Sequence, residues 1–352
     1  MASTSTVPST HRAWRVVRKG APRDALKLET DLPVPKDLQP GHVLLKVQAG
    51  ALNPVCGYKL MKLLPNFLAG RPVIAEFELA GTVVEPNGTE WSKGDQVAAH
   101  LPPNLKNHQG ALGEYVFAPV TNIARRPENI TPTQAAGIPL AGQTAWQALF
   151  KLAQLEEGQH VFINGGSTAV GAFATQFAKA KGIRVTATAS GKNEEFVKSM
   201  GADEFIDYTK QDLATYLVNN PPTTKFNAIL EAVGLIDNSL YAHSEKYLAP
   251  GGVFVSVGPQ PGGFGDIPKI GKLIFDLVRP TWLGGVRRKF ALIGVTPSQK
   301  DMESMFELFA QGKCQPIVDS VFEFEDALKA YDRIMTKRAV GKVVVRVDPT
   351  AE

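Results

Sequence analysis

The run His160-Val161-Phe162-Ile163-Asn164 has the length of one buried strand. It passes through Gly165-Gly166-Ser167-Thr168 directly into an amphipathic run, 169–181. A strand feeding straight into a helix across a small-residue turn points to a parallel α/β unit. It also leaves the first helical N–H groups unpaired and aims the positive end of the helix dipole above the turn, where a pyrophosphate fits. Gly165 and Gly166 permit unusual backbone angles and close approach, Ser167 and Thr168 add hydroxyl donors, and Gly171 lets the helix press against the strand. The candidate contacts are therefore Gly166, Ser167, Thr168, Ala169 and Val170. Thr168 and Ala169 depart from strict GxGxxG, so the string alone also reads as an ordinary strand-to-helix turn.

A second short strand, 184–189 (RVTATA), follows the helix. Its end is where a carboxylate would hold the ribose 2'-hydroxyl of NAD, but the chain reads Ser190-Gly191-Lys192-Asn193. A hydroxyl and a cation there suit the extra phosphate of NADPH, with Ser190 and Lys192 as its candidate contacts. The same four residues also make a good loop and helix cap.

The 352 residues, 44% of them hydrophobic, are enough for two domains and a large core. A formal charge of +4 is spread over 38 basic and 34 acidic residues, with only small knots at Arg125-Arg126 and Arg287-Arg288-Lys289, so no nucleic-acid face is expected. Cys56 and Cys314 are too few for a disulfide framework or a four-thiolate zinc site, which suits a reducing compartment. No run approaches the roughly eighteen apolar residues of a membrane helix, and 1–11 has no signal core. The sequence thus predicts no integral membrane segment, a disordered tail over 1–11 and a cytoplasmic address.

Strands dominate the first third, at 14–18, 42–51, 80–85 and 96–99, separated by Pro/Gly-rich turns. From about Gly137 helices and strands alternate: strands 161–164, 184–189, 205–207, 226–231 and 253–257, with helices 169–181, 193–200 and 238–248. That pattern predicts a doubly wound parallel sheet. Helices 299–311 and 324–336 and a closing strand, 341–347, complete the chain.

Several strings recur in order: Ala51-Leu52-Asn53-Pro54-Val55, Glu78-Leu79-Ala80-Gly81, Trp91-Ser92-Lys93-Gly94-Asp95-Gln96-Val97, 110–115 and 137–146. The cofactor turn, Gly201-Ala202-Asp203-Glu204 ahead of Asp207-Tyr208, and Gly341-Lys342-Val343-Val344 follow. In order and spacing they resemble the medium-chain dehydrogenases/reductases over nearly the whole length. Within that family they are similar to the zinc-independent quinone oxidoreductase and enoyl reductase branch, zeta-crystallin-like and of fungal type. It implies an α/β fold: a Rossmann-type doubly wound parallel sheet plus a mostly β GroES-like catalytic domain. The implied domains are 12–136 (catalytic), 137–297 (NADPH-binding) and 298–350 (return to the catalytic domain).

The resemblance places Asn53, Phe77 and Leu140 where zinc-dependent members carry Cys, His and Cys. None of the three is an ordinary zinc ligand, so no metal is expected, and an already electrophilic acceptor suits the chain better than an alcohol. The implied reaction transfers hydride from NADPH to the β-carbon of an α,β-unsaturated carbonyl, or to a quinone, with the reacting atoms held about 3 to 3.5 Å apart.

Asn53 and Tyr58 are the catalytic candidates, with turn formation and packing as their competing readings. Tyr208 matches a tyrosine beside the 2'-phosphate, or packs at a strand end. Gly234 and Gly258 end parallel strands where ligands bind in open sheets. Thr144 resembles a residue near the nicotinamide amide, or caps a helix. Lys342 reaches the cofactor, or is a solvated strand-edge lysine. The apolar stretch 259–288 is expected to wall the substrate site, favouring a small lipophilic enone, enal or quinone. A homodimer and a carrier-protein partner, as for a trans-acting enoyl reductase of a polyketide synthase, are compatible with the resemblance. So is a non-enzymatic NADPH-binding role.

Overall fold

The computed structural model describes residues 7–54, 61, 66–102, 108–260 and 264–352. Two compact units are present, Met1–Gln143 with Thr296–Glu352, and Thr144–Val295. The first unit opens with β1 (Thr10–Val16), β2 (Leu26–Pro33), β3 (His42–Ala51), β4 (Val73–Ile74), β5 (Glu78–Glu85), β6 (Gln96–His100), β7 (Tyr115–Pro119) and β8 (Ile123–Arg125). The second holds β9 (His160–Asn164), β10 (Arg184–Ala189), β11 (Glu204–Asp207), β12 (Phe226–Glu231), β13 (Leu248–Ser256) and β14 (Lys289–Leu292). The chain returns to the first unit with β15 (Val318–Glu323) and β16 (Lys342–Arg346).

In the first unit, β2-β1-β4 form a small antiparallel sheet, and β15-β16-β3-β5-β6-β8 form a larger one, with β7 pairing β3. Alternation along β3 sends Val43, Leu45 and Val47 into a core shared with Leu79, Val97, Ile123, Val343 and Val345. The Ala327–Met335 helix closes that core with Ala327, Ala330, Tyr331 and Ile334, which recur at helical spacing.

The second unit is a parallel sheet in the order β11-β10-β9-β12-β13-β14. Numbered along the chain this is 3-2-1-4-5-6, with the topological switch between β9 and β12. The apolar centres of β9 (Val161–Ile163) and β12 (Ala228–Leu230) follow from burial on both faces. Phe162, Phe226, Tyr247 and Phe254 fill the space on one side.

Several expectations need correction. β1 already begins at Thr10 and buries His11, so these two residues do not belong to the expected tail. The first boundary falls after Gln143 rather than 136, because Leu140 and Gln143 are bonded to Glu78 and Ser298 of the first unit. The run 238–248 is not one helix: Ser239–Ala242 and a 3-10 turn, Ser244–Lys246, precede β13, which already starts at Leu248. β2, β7, β8, β14 and β15 are additional, and β2 and β15 are half-exposed, which blunts their hydrophobic alternation. Among the described residues no helix is long and apolar enough to cross a membrane.

Candidate active site

In the second unit β9 ends at Asn164 and the chain turns at Gly165, whose φ is 90°, a conformation that favours glycine. Thr188 of β10 fixes the turn: Gly166 N–H donates to its carbonyl at 2.7 Å, and Gly165 N–H to its Oγ1 at 3.2 Å. The Ala169–Ala180 helix then starts, capped by Thr168, whose Oγ1 accepts from Gly171 N–H at 3.0 Å. The same hydroxyl donates to the Gly165 carbonyl at 2.8 Å. Thr168 is therefore built into the turn, and its proton is already used. The N–H groups of Ala169 and Val170 lie in the first turn, where no intrahelical acceptor exists. A Cβ on Gly171 would lie 2.1 Å from the Gly165 carbonyl oxygen, so only glycine lets helix and strand approach this closely. Gly166 and Ser167 complete a small-residue floor.

At the end of β10, Ser190 is half-buried, Lys192 is exposed, and neither Ser190 nor Asn193 makes a side-chain cap bond, which removes the helix-capping reading. Tyr208 is 51% exposed, so it does not pack a core. Sequence reading missed Asp207. Its Oδ1 accepts from Thr209 Oγ1 at 2.7 Å and Thr209 N–H at 2.9 Å, and those donors hold its carboxyl below the ordinary carboxylate value. A Cβ on Gly191 would lie 2.5 Å from Asp207 Oδ2, so any side chain there would displace that carboxylate.

Glu231, the last residue of β12, was also missed. Buried at 3% exposure, it accepts from Val233 N–H (2.8 Å), Gly234 N–H (2.9 Å), Leu235 N–H (3.2 Å) and Ser256 Oγ (3.1 Å). Ser256 Oγ in turn accepts from Gly258 N–H at 3.0 Å. One carboxylate thus pins the exits of β12 and β13, where Gly234 (φ 81°) and Gly258 (φ 89°) turn the chain. Burial raises its pKa above the ordinary value. An acid directly after the apolar run Ala228–Leu230 was the available signal.

Beside these turns a mostly apolar cavity of about 190 Å³ lies against the Ile267–Val278 helix, lined by Leu240, Phe254, Leu273, Leu277 and Phe290, with Glu231, Asp237, Asn238 and Ser256 among its polar lining. Thr144 is buried within the Pro139–Trp146 helix, past its first turn, which excludes the N-capping reading.

In the first unit a buried charged cluster surrounds Asn53. Lys342 is only 3% exposed, and β16 is flanked by β15 and β3, which overturns the solvated strand-edge reading. Its Nζ pairs with Glu78 Oε1 at 2.6 Å and donates to Leu52 O and Asn53 Oδ1, both at 2.8 Å. All three ammonium protons therefore have protein acceptors, which leaves none for a cofactor. Asn53 Nδ2 donates to Glu78 Oε1 at 2.9 Å, and Leu140 N–H to Glu78 Oε2 at 2.7 Å. Asn53 N–H and the Tyr331 hydroxyl donate to Glu76 at 3.1 and 2.7 Å. The amide of Asn53 is thus held in one orientation from both ends. Tyr58 lies outside the described residues.

Burial pushes the Glu76 carboxyl up to about 8, against the lowering effects of Tyr331, Lys342 and Asn53 N–H. It pushes His100, which faces Glu78 across β5 and β6, down to about 4. Between about pH 4.5 and 8 an unfolded Glu76 ionises while the folded one keeps its proton, so stability falls as pH rises. His100 acts oppositely: the unfolded ring takes a proton below 6.5 and the folded one only near 4, so stability falls as pH drops through that window. Thermal melts should therefore show a decline from pH 6.5 to 8 that Glu76→Gln flattens. An unaltered slope in that variant rejects the assignment.

The positions that carry zinc ligands in the resembled alcohol dehydrogenases hold a bonded amide (Asn53), a partly buried phenyl (Phe77) and an aliphatic side chain (Leu140). The donor chemistry of these three does not fit a zinc ion.

A 3-2-1-4-5-6 parallel sheet with its glycine turn after the first strand, carried in one chain with a mostly antiparallel unit, is the architecture of a dinucleotide-binding protein. Residues 200–345 match the family described as zinc-binding dehydrogenase. The chain is 34% identical to the medium chain reductase pydE of an Acremonium species, over 96% of this chain and 99% of that one. It is likewise 34% identical to the trans-enoyl reductase pgmF of Aspergillus terreus, over 99% of each. A solved quinone oxidoreductase from Coxiella burnetii superposes with a TM-score of 0.77 at 26% identity, covering 96% of this chain and 99% of that one. The chain belongs to the medium-chain dehydrogenase/reductase superfamily.

Proposed function

We propose that this chain is an NADPH-dependent reductase that adds hydride to the β-carbon of a lipophilic α,β-unsaturated carbonyl compound, with no metal ion assisting. The observation that carries the reading is the cofactor turn in its setting: Gly165-Gly166 and a capped helix start for the pyrophosphate, then Ser190 and Lys192 where NAD enzymes carry an acid. Names of full-length relatives, medium chain reductase and trans-enoyl reductase, support the acceptor class.

When bound, the reduced nicotinamide supplies the hydride. Ser167, Ala169 and Val170 receive the pyrophosphate, while Ser190, Lys192 and Tyr208 receive the 2'-phosphate. Glu231 holds Gly234 and Gly258 in the turns that bring backbone close to the dinucleotide. Thr144 is assigned to the nicotinamide amide. In the first unit Lys342 and Glu78 orient Asn53, and a proton reaches the α-carbon from water or Tyr58. The 190 Å³ cavity offers an apolar environment suited to an alkyl or acyl chain.

The test is oxidation of NADPH by the purified chain across 2-enals, enones, quinones and simple ketones, with and without chelator. Turnover of 2-enals to saturated aldehydes, undiminished by chelator, is expected. Lys192→Ala should raise the KM for NADPH roughly tenfold and leave that for NADH unchanged. Preference for NADH, or loss of rate in chelator, overturns the reading. Turnover of quinones alone would favour the second reading, which the likeness to a quinone oxidoreductase supports. Cofactor binding without turnover of any acceptor would favour the non-enzymatic one. Faster turnover of a carrier-bound enoyl thioester than of the free thioester would identify a carrier-protein partner.

A further inference from the structure

We propose that residues 267–289 form a docking face for an anionic lipid bilayer, independently of which acceptor the enzyme reduces. The Ile267–Val278 helix has three faces. Ile270, Leu273 and Leu277 point inward and line the cavity over the sheet. Lys269, Lys272 and Asp276 form a polar arc, where Lys272 pairs with Asp276 at 2.8 Å and Lys269 with Asp266 at 3.3 Å. The remaining arc is apolar and open: Ile267, Phe275 and Val278 are exposed, as is Ile274 at the rim of the cavity, and the 3-10 turn that follows adds Leu283 and Trp282, the latter 81% exposed. Isolated exposed apolar residues need no account, but six large ones within seventeen consecutive residues do.

Charge identifies the occupant. The stretch 266–289 carries six cations, Lys269, Lys272, Arg279, Arg287, Arg288 and Lys289, against the two carboxylates of Asp266 and Asp276, which pair with the two lysines of the helix. Its excess of +4 equals that of the whole chain, so the rest of the protein is formally neutral. An amphipathic helix with an apolar face, an exposed tryptophan and flanking Lys/Arg is the pattern that lies in the headgroup plane of a bilayer. Long cationic side chains reach phosphates while their stems cover apolar surface. A second copy of this chain fits less well, because a two-fold face would set this cationic stretch against itself.

The full chain, with its cofactor, is mixed with sedimentable vesicles of phosphatidylcholine alone or of phosphatidylcholine with phosphatidylserine. Expected are partition onto the phosphatidylserine vesicles, its release by salt, and a blue shift of tryptophan emission that Trp282→Phe abolishes. Phe275→Glu with Val278→Glu should lower partition roughly tenfold or more, with cofactor binding and thermal melting unchanged. Lys269→Glu with Lys272→Glu should remove the dependence on phosphatidylserine. Equal partition of wild type and the Phe275/Val278 variant overturns the proposal. So does a wild-type dimer that the same variant splits without any vesicle binding, which would make the patch an interface between copies.

Discussion

Lys342→Met is expected to destabilise the chain by roughly 3 to 5 kcal/mol in denaturant unfolding, among the largest effects of any single substitution outside the hydrophobic core. The reason is the partner left behind. Glu78 is fully buried and the Lys342 side chain nearly so, at 0% and 4% exposure. Without the ammonium, Glu78 keeps only Asn53 Nδ2 and Leu140 N–H, and its charge remains in an apolar sheet. Leu52 O and Asn53 Oδ1 lose their donor as well. Adding Glu78→Gln removes the stranded charge, so the double variant should recover much of the loss, giving a coupling well beyond the additive sum. A single-variant loss under about 1 kcal/mol, or additive singles, would show that the pair is not a structural unit.

What could be read from the sequence follows from how local each interaction is. The β9 turn and its helix were legible because strand pattern, small residues and helical periodicity lie within about twenty consecutive positions. The same holds for the closing strand. Lys342 was not legible: its acceptors at Leu52 and Asn53 lie 290 and 289 residues away and become neighbours only because β16 inserts between β15 and β3. A lysine that begins a run of three valines reads as a solvated edge until that pairing is known. Glu231 fails for a related reason, since its value lies in reaching both its own following turn and Ser256 on the neighbouring strand. Asp207 is legible in the sequence only as the neighbour of Tyr208, because its closeness to Gly191 arises from the lateral pairing of β10 and β11.

Gly171→Ala is expected to weaken NADPH binding roughly tenfold or more and to lower stability by about 1 to 3 kcal/mol. The added methyl would meet the Gly165 carbonyl oxygen at 2.1 Å and Thr168 Oγ1 at 3.1 Å. The first obstacle is backbone, in a turn already at φ 90° and tied to Thr188, so it has little room to yield. Either the helix start withdraws from the strand or Gly165 rotates, and both move the N–H groups of Ala169 and Val170 that face the pyrophosphate. Thr168 then loses its geometry toward Gly171 N–H, which removes the cap. Gly271→Ala is the matching control. It also lies within a helix, but nothing stands within 4 Å of its Cβ position, so helix propensity alone should make it neutral to mildly stabilising. Calorimetric titration of NADPH alongside thermal melting separates the two consequences. If Gly171→Ala binds NADPH as tightly as Gly271→Ala, the dinucleotide does not depend on that close approach, and the cradle must be sought elsewhere on the sheet.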